Sequence, residues 1–267
     1  MEPSVTPGDA ADSVGEWPAA VPPDRVRDDR WWRFGLATLG VLMRILLRIR
    51  FEGLENIPDR GGAILAPNHV SVLDPVVLAL GPSRRGRTIR FLAAAEFFER
   101  GRHVVAFGLR RFRQIPVRRG MADWGALREV GDVIRRGALA GIFPEGRMGD
   151  GPGLLPGHKG LARVALVAGV PVIPVAIWGT HRRWPRSGFR WRPPLRPTVR
   201  ILVGTPIAVA GDPRNRRDVR DLTDRIMAEI AALLPRVQAP EGGRSGRRGT
   251  ERTGPEPSRR DRPDPPI

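Results

Sequence analysis

Short apolar runs alternate with amphipathic stretches between residues 51 and 235. The apolar runs predict six strands, at 62–66, 88–94, 112–117, 138–143, 171–178 and 198–204. The stretches with helical spacing predict helices at 74–80, 121–136, 158–168 and 216–234. This alternation predicts an α/β fold, a single layered domain with a mostly parallel central sheet flanked by helices.

The two ends of the chain lack this periodicity. Residues 1–29 are rich in Pro, Ala and Asp, and residues 236–267 in Pro, Gly, Arg and Ser, so both are predicted to be disordered tails. The first segment also lacks the basic start and apolar stretch of a signal peptide. The predicted folded domain is therefore residues 51–235, with one further element in front of it.

Residues 30–50 predict an amphipathic helix that lies in a membrane interface. The uncharged run between Arg33 and Arg44 has ten residues, which is too short to cross a bilayer. At 100° per residue, Arg30, Arg33, Arg44 and Arg48 fall within an arc of about 60°, and apolar side chains occupy most of the remainder. A basic stripe, an apolar face and terminal tryptophans are typical of interfacial helices. The predicted membrane contacts are Trp31, Trp32, Arg33, Arg44 and Arg48. The alternative is a helix packed on the core with a solvated arginine edge.

The charge of the chain favours an anionic partner. The formal net charge is +17, and because residues 1–29 carry −5 and residues 236–267 carry +3, residues 30–235 carry +19. Phosphate, nucleic acid and an acidic membrane all fit such a charge. The chain has no cysteine, which excludes disulfides, zinc–thiolate sites and thiol nucleophiles. No metal site is predicted.

The first candidate for chemistry is a histidine that follows the apolar run 63–66. His69 precedes Asp74 by five residues, and a carboxylate on one imidazole nitrogen would orient the ring as a base. On a regular helix the two side chains would point about 140° apart. They can therefore meet only if His69 lies in the loop before a helix and Asp74 lies in its first turn. The alternative is a loop histidine beside a capping aspartate.

Two further motifs follow predicted strands. Glu145, Gly146 and Arg147 form a turn after the strand at 138–143, where α/β folds place ligands, and Glu145 could accept a hydrogen bond from a substrate hydroxyl. Arg118 and Arg119 follow the strand at 112–117, and guanidinium groups bind phosphate in a bidentate manner. The alternatives are an ordinary strand exit for the first motif and a solvated surface for the second.

Taken together, these segments resemble the 1-acylglycerol-3-phosphate acyltransferases, also called lysophosphatidic acid acyltransferases. The resemblance spans roughly residues 50–210 and rests on four segments in the family's order. They are Asn68-His69 with Asp74, Ile115 to Arg119, Phe143-Pro144-Glu145-Gly146, and Val170-Pro171-Val172-Ile173-Pro174.

The resemblance implies direct acyl transfer without a covalent enzyme intermediate. His69 and Asp74 would be catalytic, while Arg119, Glu145, Gly146 and Arg147 would bind the acceptor. It further implies acyl-CoA or acyl carrier protein as co-substrate, no other cofactor, phosphatidic acid as product, and a peripheral or monotopic position on the cytoplasmic face of the cell membrane.

Two departures from the family pattern bear on the acceptor. Arg147-Met148-Gly149 stands where the family commonly has Thr-Arg-Ser, and Arg118 stands where an acid often precedes the phosphate-binding arginine. Another lipid acceptor, such as an ornithine lipid or glycerol 3-phosphate, is therefore an alternative. From another class, a basic nucleic-acid-binding protein fits the charge. Nucleic acid is not the expected partner, because the chain has no RRM signature and no dense basic recognition helix.

Overall fold

The computed structural model describes residues 30–94, 114–117, 131, 134, 136–151 and 153–239. In this part of the chain the elements, in order, are α1 (Arg30–Leu46), β1 (Arg48–Glu52), β2 (Ala63–Pro67), α2 (Asp74–Arg84), β3 (Ile89–Ala94), β4 (Ile115–Val117), β5 (Leu139–Gly141), α3 (Gly160–Ala168), β6 (Val172–Trp178), β7 (Thr198–Val203) and α4 (Arg216–Gln238). Short 3-10 turns occur at Leu54–Asn56 and Thr180–Arg182.

The seven strands of the described residues form one sheet in the order β1-β7-β6-β2-β5-β3-β4. Five neighbouring strands, from β6 to β4, are parallel. β7 is antiparallel to β6, and β1 is parallel to β7. The predicted single, mostly parallel sheet flanked by helices is therefore confirmed, with two strands at one edge that run against the rest.

The helix predicted for residues 30–50 is shorter than expected. It ends at Leu46, and Arg48 begins β1, which pairs with β7 from Arg48 opposite Thr198 to Glu52 opposite Leu202. The reason is the alternation of polar and apolar residues from Arg48 to Glu52, which suits a strand at a sheet edge and not a helix. Arg48 therefore does not belong to the helical arginine stripe, and the boundary at residue 50 was wrong.

The last helix continues beyond its predicted end at residue 234. α4 reaches Gln238, because Val237 is buried against Leu202 and Ala176 of the sheet. The predicted start of the disordered tail at residue 236 was therefore too early. Residues 1–29 and 240–267 lie outside the described residues, as does most of the predicted helix at 121–136.

Alternating side chains of the strands divide the core between the two faces of the sheet. In β2, Ala63 and Leu65 pack on the face that α1 and α2 cover, whereas Ile64 and Ala66 pack on the face that α3 and α4 cover. All four side chains are fully buried. Each face thus has its own apolar core, as expected for a sheet between two helical layers.

Helix α1 combines the two alternatives considered for it. Leu36 and Met43 are buried on one side, as is Leu47, the residue that follows the helix. On the opposite side, within an arc of about 100°, four apolar residues are exposed: Phe34, Val41, Leu42 and Ile45. The helix is therefore packed on the core and still presents an apolar face outward. None of the helices in the described ranges is long and apolar enough to cross a membrane.

Candidate active site

The candidate site lies at the carboxyl ends of three adjacent parallel strands, β6, β2 and β5. After β2 the chain passes into α2 on one face of the sheet, and after β5 it passes into α3 on the other face. Adjacent strands whose connections leave to opposite faces open a crevice between them, and such crevices hold the ligands of open α/β sheets.

His69 and Asp74 meet in the loop that leaves β2. His69 lies in this loop and Asp74 is the first residue of α2, which is the arrangement that the five-residue spacing required. Nδ1 of His69 lies 3.0 Å from Oδ2 of Asp74. With a proton on Nδ1 facing the carboxylate, the lone pair of Nε2 remains available to accept a proton from a ligand. The side chain of His69 is 18% exposed, so a ligand can reach it.

The carboxylate of Asp74 is fully buried and held by three further donors. The backbone N–H groups of Val70 and Ser71 each donate to Oδ2 at 2.7 Å. The hydroxyl of Thr180 donates to Oδ1 at 2.5 Å. A carboxylate with this many donors is held in one position, so it can orient the imidazole and stabilise the imidazolium.

Glu145 supports the same loop from the neighbouring strand. Its Oε1 accepts the backbone N–H of His69 at 2.7 Å, and its Oε2 accepts that of Leu155 at 2.9 Å. Burial raises the pKa of this carboxyl, and the two backbone hydrogen bonds act in the opposite direction. With a side chain only 2% exposed, Glu145 positions the catalytic loop in this structure. Its predicted contact with a substrate hydroxyl stays a prediction.

Two more contacts fix the orientation of the loop. The imidazole of His69 stacks on Phe143, with the ring centroids 4.1 Å apart. Asn68 joins the loop to β6, because its amide donates to the carbonyl of Ile177 and accepts from the N–H of the same residue. Both faces of the histidine loop are therefore tied to the sheet.

His181 is a second histidine near Asp74, and it follows Thr180 directly. It packs on Trp178 with ring centroids 4.3 Å apart, and its Nδ1 has no hydrogen-bond partner among the described residues. Burial is the main cause that lowers its pKa; Arg182 and Arg190 lower it further, whereas the charge of Asp74 raises it. Burial beside Trp178 thus disfavours the charged form of His181 at a position close to Asp74.

Comparison with protein families adds an independent observation. The family model described as Acyltransferase matches residues 48–178, which include His69, Asp74 and Glu145. The chain belongs to the acyltransferase family. The activity is therefore that of an O-acyltransferase. The matched segment holds the His69 loop and Glu145, and it ends two residues before Thr180.

Individual proteins that are similar to this acyltransferase are also named acyltransferases. The chain is 28% identical over 224 residues to a 1-acyl-sn-glycerol-3-phosphate acyltransferase of Pseudomonas aeruginosa, covering 79% of this chain and 80% of that protein. It is 33% identical over 167 residues to a lyso-ornithine lipid O-acyltransferase of the same organism, covering 62% and 58% respectively. The crystal structure of a 1-acyl-sn-glycerophosphate acyltransferase from Thermotoga maritima matches with a TM-score of 0.59 and 24% identity, over 80% of this chain and 84% of that one. This last likeness establishes the fold.

Of the other predicted site residues of the acyltransferase, two lie in the described part of the chain and one lies outside it. Gly146 and Arg147 are both exposed in the turn after Glu145. Gly146 has φ +62°, and a Cβ at this position would lie 2.8 Å from the ring of His158, so the turn requires glycine here. Arg119 lies outside the described residues. Gly146 and Arg147 thus stay predicted acceptor contacts at a turn that a ligand can reach.

The predicted membrane contacts are also only partly described. Trp31, Trp32 and Arg33 lie in α1, where the structure describes their backbone but not their side chains. Arg44 is exposed in the last turn of the same helix, whereas Arg48 is exposed at the start of β1.

Sequence reasoning missed Thr180, Asn68 and Ser71 as parts of the site. Thr180 lies 106 positions from Asp74, and the strand order that brings them together cannot be inferred from periodicity. A local signal does exist at Gly179, which follows β6 with φ +101°. A Cβ there would lie 2.1 Å from the carbonyl oxygen of Thr198, so this glycine lets the chain turn and place Thr180 over Asp74.

Proposed function

We propose that the protein transfers a fatty acyl group from acyl-CoA or acyl carrier protein to the free hydroxyl of 1-acyl-sn-glycerol 3-phosphate. The product is phosphatidic acid, and the reaction takes place at the cytoplasmic surface of a membrane. The observation that carries this proposal is the imidazole of His69, which has its Nδ1 on a buried carboxylate and an accessible ring edge. That arrangement suits a general base for a hydroxyl nucleophile.

In the proposed reaction, Nε2 of His69 accepts the proton of the acceptor hydroxyl while the hydroxyl oxygen attacks the thioester carbonyl carbon. A C–O bond forms, the carbonyl π electrons move to oxygen, and they return when the C–S bond breaks. The imidazolium then gives its proton to the departing thiolate, so the products are an ester and a free thiol. Asp74 stabilises the imidazolium between the two proton transfers. The chain has no cysteine, which agrees with direct transfer.

The proposed acceptor site is the turn next to this pair. Gly146 and Arg147 are exposed there, and a guanidinium binds the phosphate of a lysophospholipid through charge-assisted hydrogen bonds. Arg119, together with Glu145, would complete the site as the resemblance implies. The relative from Pseudomonas aeruginosa that spans most of this chain favours the glycerol phosphate acceptor.

A second acceptor is supported by a specific observation. Of the two Pseudomonas relatives, the lyso-ornithine lipid O-acyltransferase has the higher identity, although over a shorter stretch. An ornithine lipid carries an amino acid headgroup and no phosphate. Arg147 would therefore bind a phosphate in the first acceptor but not in the second. Acylation of a lyso-ornithine lipid is therefore the alternative function.

The test is transfer of a labelled acyl group by the purified full-length protein in mixed micelles. The acceptor panel contains 1-acyl-sn-glycerol 3-phosphate, a lyso-ornithine lipid and glycerol 3-phosphate, each with acyl-CoA and with acyl carrier protein. We expect the highest kcat/KM with 1-acyl-sn-glycerol 3-phosphate. A preference for the lyso-ornithine lipid would support the alternative, and a folded protein that acylates none of the three would refute both.

A further inference from the structure

The segment from residue 181 to residue 197 connects β6 to β7 and has an unusual surface. It contains six arginines and no acidic residue. Its large apolar side chains point outward: Trp191 is 62% exposed, and Trp184, Phe189 and Leu195 are exposed as well. We call these four residues the aromatic platform. Aromatic side chains usually dominate cores and interfaces, so three of them on a free surface indicate a partner.

The aromatic platform is held from below by a buried arginine. Arg183 is fully buried, and its guanidinium donates to the backbone carbonyls of Arg190, Pro194 and Leu195. The same group lies 4.9 Å from the ring centroid of Trp191 and 5.8 Å from that of Phe189. These contacts hold the segment in a shape that keeps the rings outside, so their exposure is built into the fold.

The platform is continuous with the exposed side of α1. Arg196 donates to the carbonyl of Arg44, and together with Val41 and Ile45 these residues line a shallow groove. Two of the exposed apolar residues of α1 thus lie beside Arg196, which follows Leu195 of the platform in the chain. The combined surface offers aliphatic groups, aromatic rings and arginines, but no carboxylate from either segment.

The platform also contacts the catalytic loop. The hydroxyl of Ser71 donates to the carbonyl of Trp184 at 2.6 Å, and the backbone N–H of Ser71 donates to Asp74. Val72, next in the chain, is also exposed. The backbone of the platform is therefore linked through a single residue, Ser71, to the carboxylate that orients His69.

We infer that residues 184–195 form a second membrane-docking element, separate from α1, that holds the His69 loop at the level of anionic lipid headgroups. This deepens the proposed function, on which it rests, by stating how the site reaches a substrate that stays in the bilayer. Arginines beside an anionic surface supply charge complementarity, and Trp and Phe partition into the interface. Single-stranded nucleic acid also favours arginine with aromatic rings. The part of α1 beside the platform favours lipid instead, because its exposed Val41 and Ile45 are aliphatic and cannot stack on a base.

The test is sedimentation of the full-length protein with vesicles of phosphatidylcholine, with and without phosphatidylglycerol, in the absence of any acyl donor. The double variant Phe189→Ser/Trp191→Ser should bind at least about tenfold more weakly, because it loses the apolar part of the platform. The matched control is Val167→Ser, an exposed apolar position on α3 at the other face of the sheet, which should bind like the wild type.

A charge variant tests the same element without removing a ring. Arg192→Glu should bind phosphatidylglycerol vesicles at least about fivefold more weakly and leave binding to neutral vesicles unchanged. Arg225→Glu on α4 makes the same charge change on the opposite face and should have little effect. Thermal unfolding of each variant identifies any that fails to fold, and Arg192 is exposed, so its replacement disturbs no packing.

The inference is overturned if both platform variants bind vesicles as the wild type does. It is also overturned if they keep vesicle binding and lose retention of single-stranded RNA, because the platform would then be a nucleic-acid surface. Vesicle binding is measured without catalysis, so a protein that docks through the platform and acylates no acceptor would refute the proposed function and leave the docking element standing.

Discussion

The two faces of the sheet have equally complete cores and very different surfaces. On the face that α3 and α4 cover, one large apolar residue, Val167, is exposed among the described residues. On the face of α1 and α2, together with the catalytic loop and the aromatic platform, there are nine: Phe34, Val41, Leu42, Ile45, Val72, Trp184, Phe189, Trp191 and Leu195.

The charges differ in the same way. Helix α4 mixes five arginines with four acids, whereas α1 and the segment 181–197 together carry nine arginines and no acid. Stability does not explain the difference, because a folded chain gains nothing from apolar side chains left in water. The difference supports the inference that one face contacts only solvent and the other binds a partner, and the His69 loop lies beside the second.

The largest expected effect is a loss of catalysis that leaves membrane binding unchanged. Asp74→Asn keeps an acceptor for the backbone N–H groups of Val70 and Ser71 but removes the charge that stabilises the imidazolium. We expect kcat to fall on the order of 10²–10⁴-fold, as measured by acyl transfer, with vesicle binding unchanged. Asp221→Asn, an exposed position on α4, is the control. Wild-type turnover in Asp74→Asn would show that the carboxylate has no role.

A second pair of variants contrasts the two faces directly. Ile230→Ala removes a fully buried side chain of α4 and should lower the free energy of unfolding by about 2–5 kcal/mol. Ile45→Ala removes an exposed side chain of α1 and should change it by less than about 0.5 kcal/mol while weakening vesicle binding. Denaturant unfolding and vesicle sedimentation measure the two effects. Equal destabilisation by the two variants would contradict the contrast.

Thr180→Val tests a positioning residue that only the structure reveals. It removes the hydroxyl that donates to Oδ1 of Asp74, and a hydrogen bond to a charged group is worth about 1.5–3 kcal/mol. We expect a fall in kcat of about tenfold or more with little change in the acceptor KM, since Thr180 acts through Asp74. Thr180→Ser keeps the hydroxyl and should restore most of the activity. If Ser and Val behave alike, the hydrogen bond has no functional role.

The smallest effect concerns pH. The pKa of His181 lies below its ordinary value of 6.5 in the folded state, because burial disfavours the charged ring. The unfolded chain therefore binds more protons between these two pKa values, and stability falls as pH decreases through that window. Against wild type, His181→Gln should remove a slope of at most about 1.4 kcal/mol per pH unit. Parallel stability curves for the two proteins between pH 5 and 7 would contradict this assignment.

The sequence predicted the elements whose signal is local. All six predicted strands appear, as β2 to β7, because each contains a short apolar run bounded by turn residues. The contact between His69 and Asp74 was predictable as well, since five residues and one helix start determine it. The family resemblance rested on the same short motifs and is confirmed by the match over residues 48–178.

What the sequence could not provide depends on strand order and on packing across long separations. The first three residues of β1 were read as helix because its alternating residues follow an amphipathic helix without a break, and its pairing partner lies 150 residues away. The roles of Thr180 and Asn68 require β6 to be the neighbour of β2. The aromatic platform escaped notice because tryptophan and phenylalanine in a sequence usually predict burial, and only the structure shows that Arg183 holds them outside.

The most direct test of the account measures acyl transfer and vesicle binding together for His69→Ala. The full-length wild type and the variant are mixed with phosphatidylglycerol vesicles that contain 1-acyl-sn-glycerol 3-phosphate, and labelled acyl-CoA is added. We expect the variant to sediment with vesicles as the wild type does and to form labelled phosphatidic acid on the order of 10²–10⁴-fold more slowly. Formation of phosphatidic acid at the wild-type rate by His69→Ala would contradict the central claim.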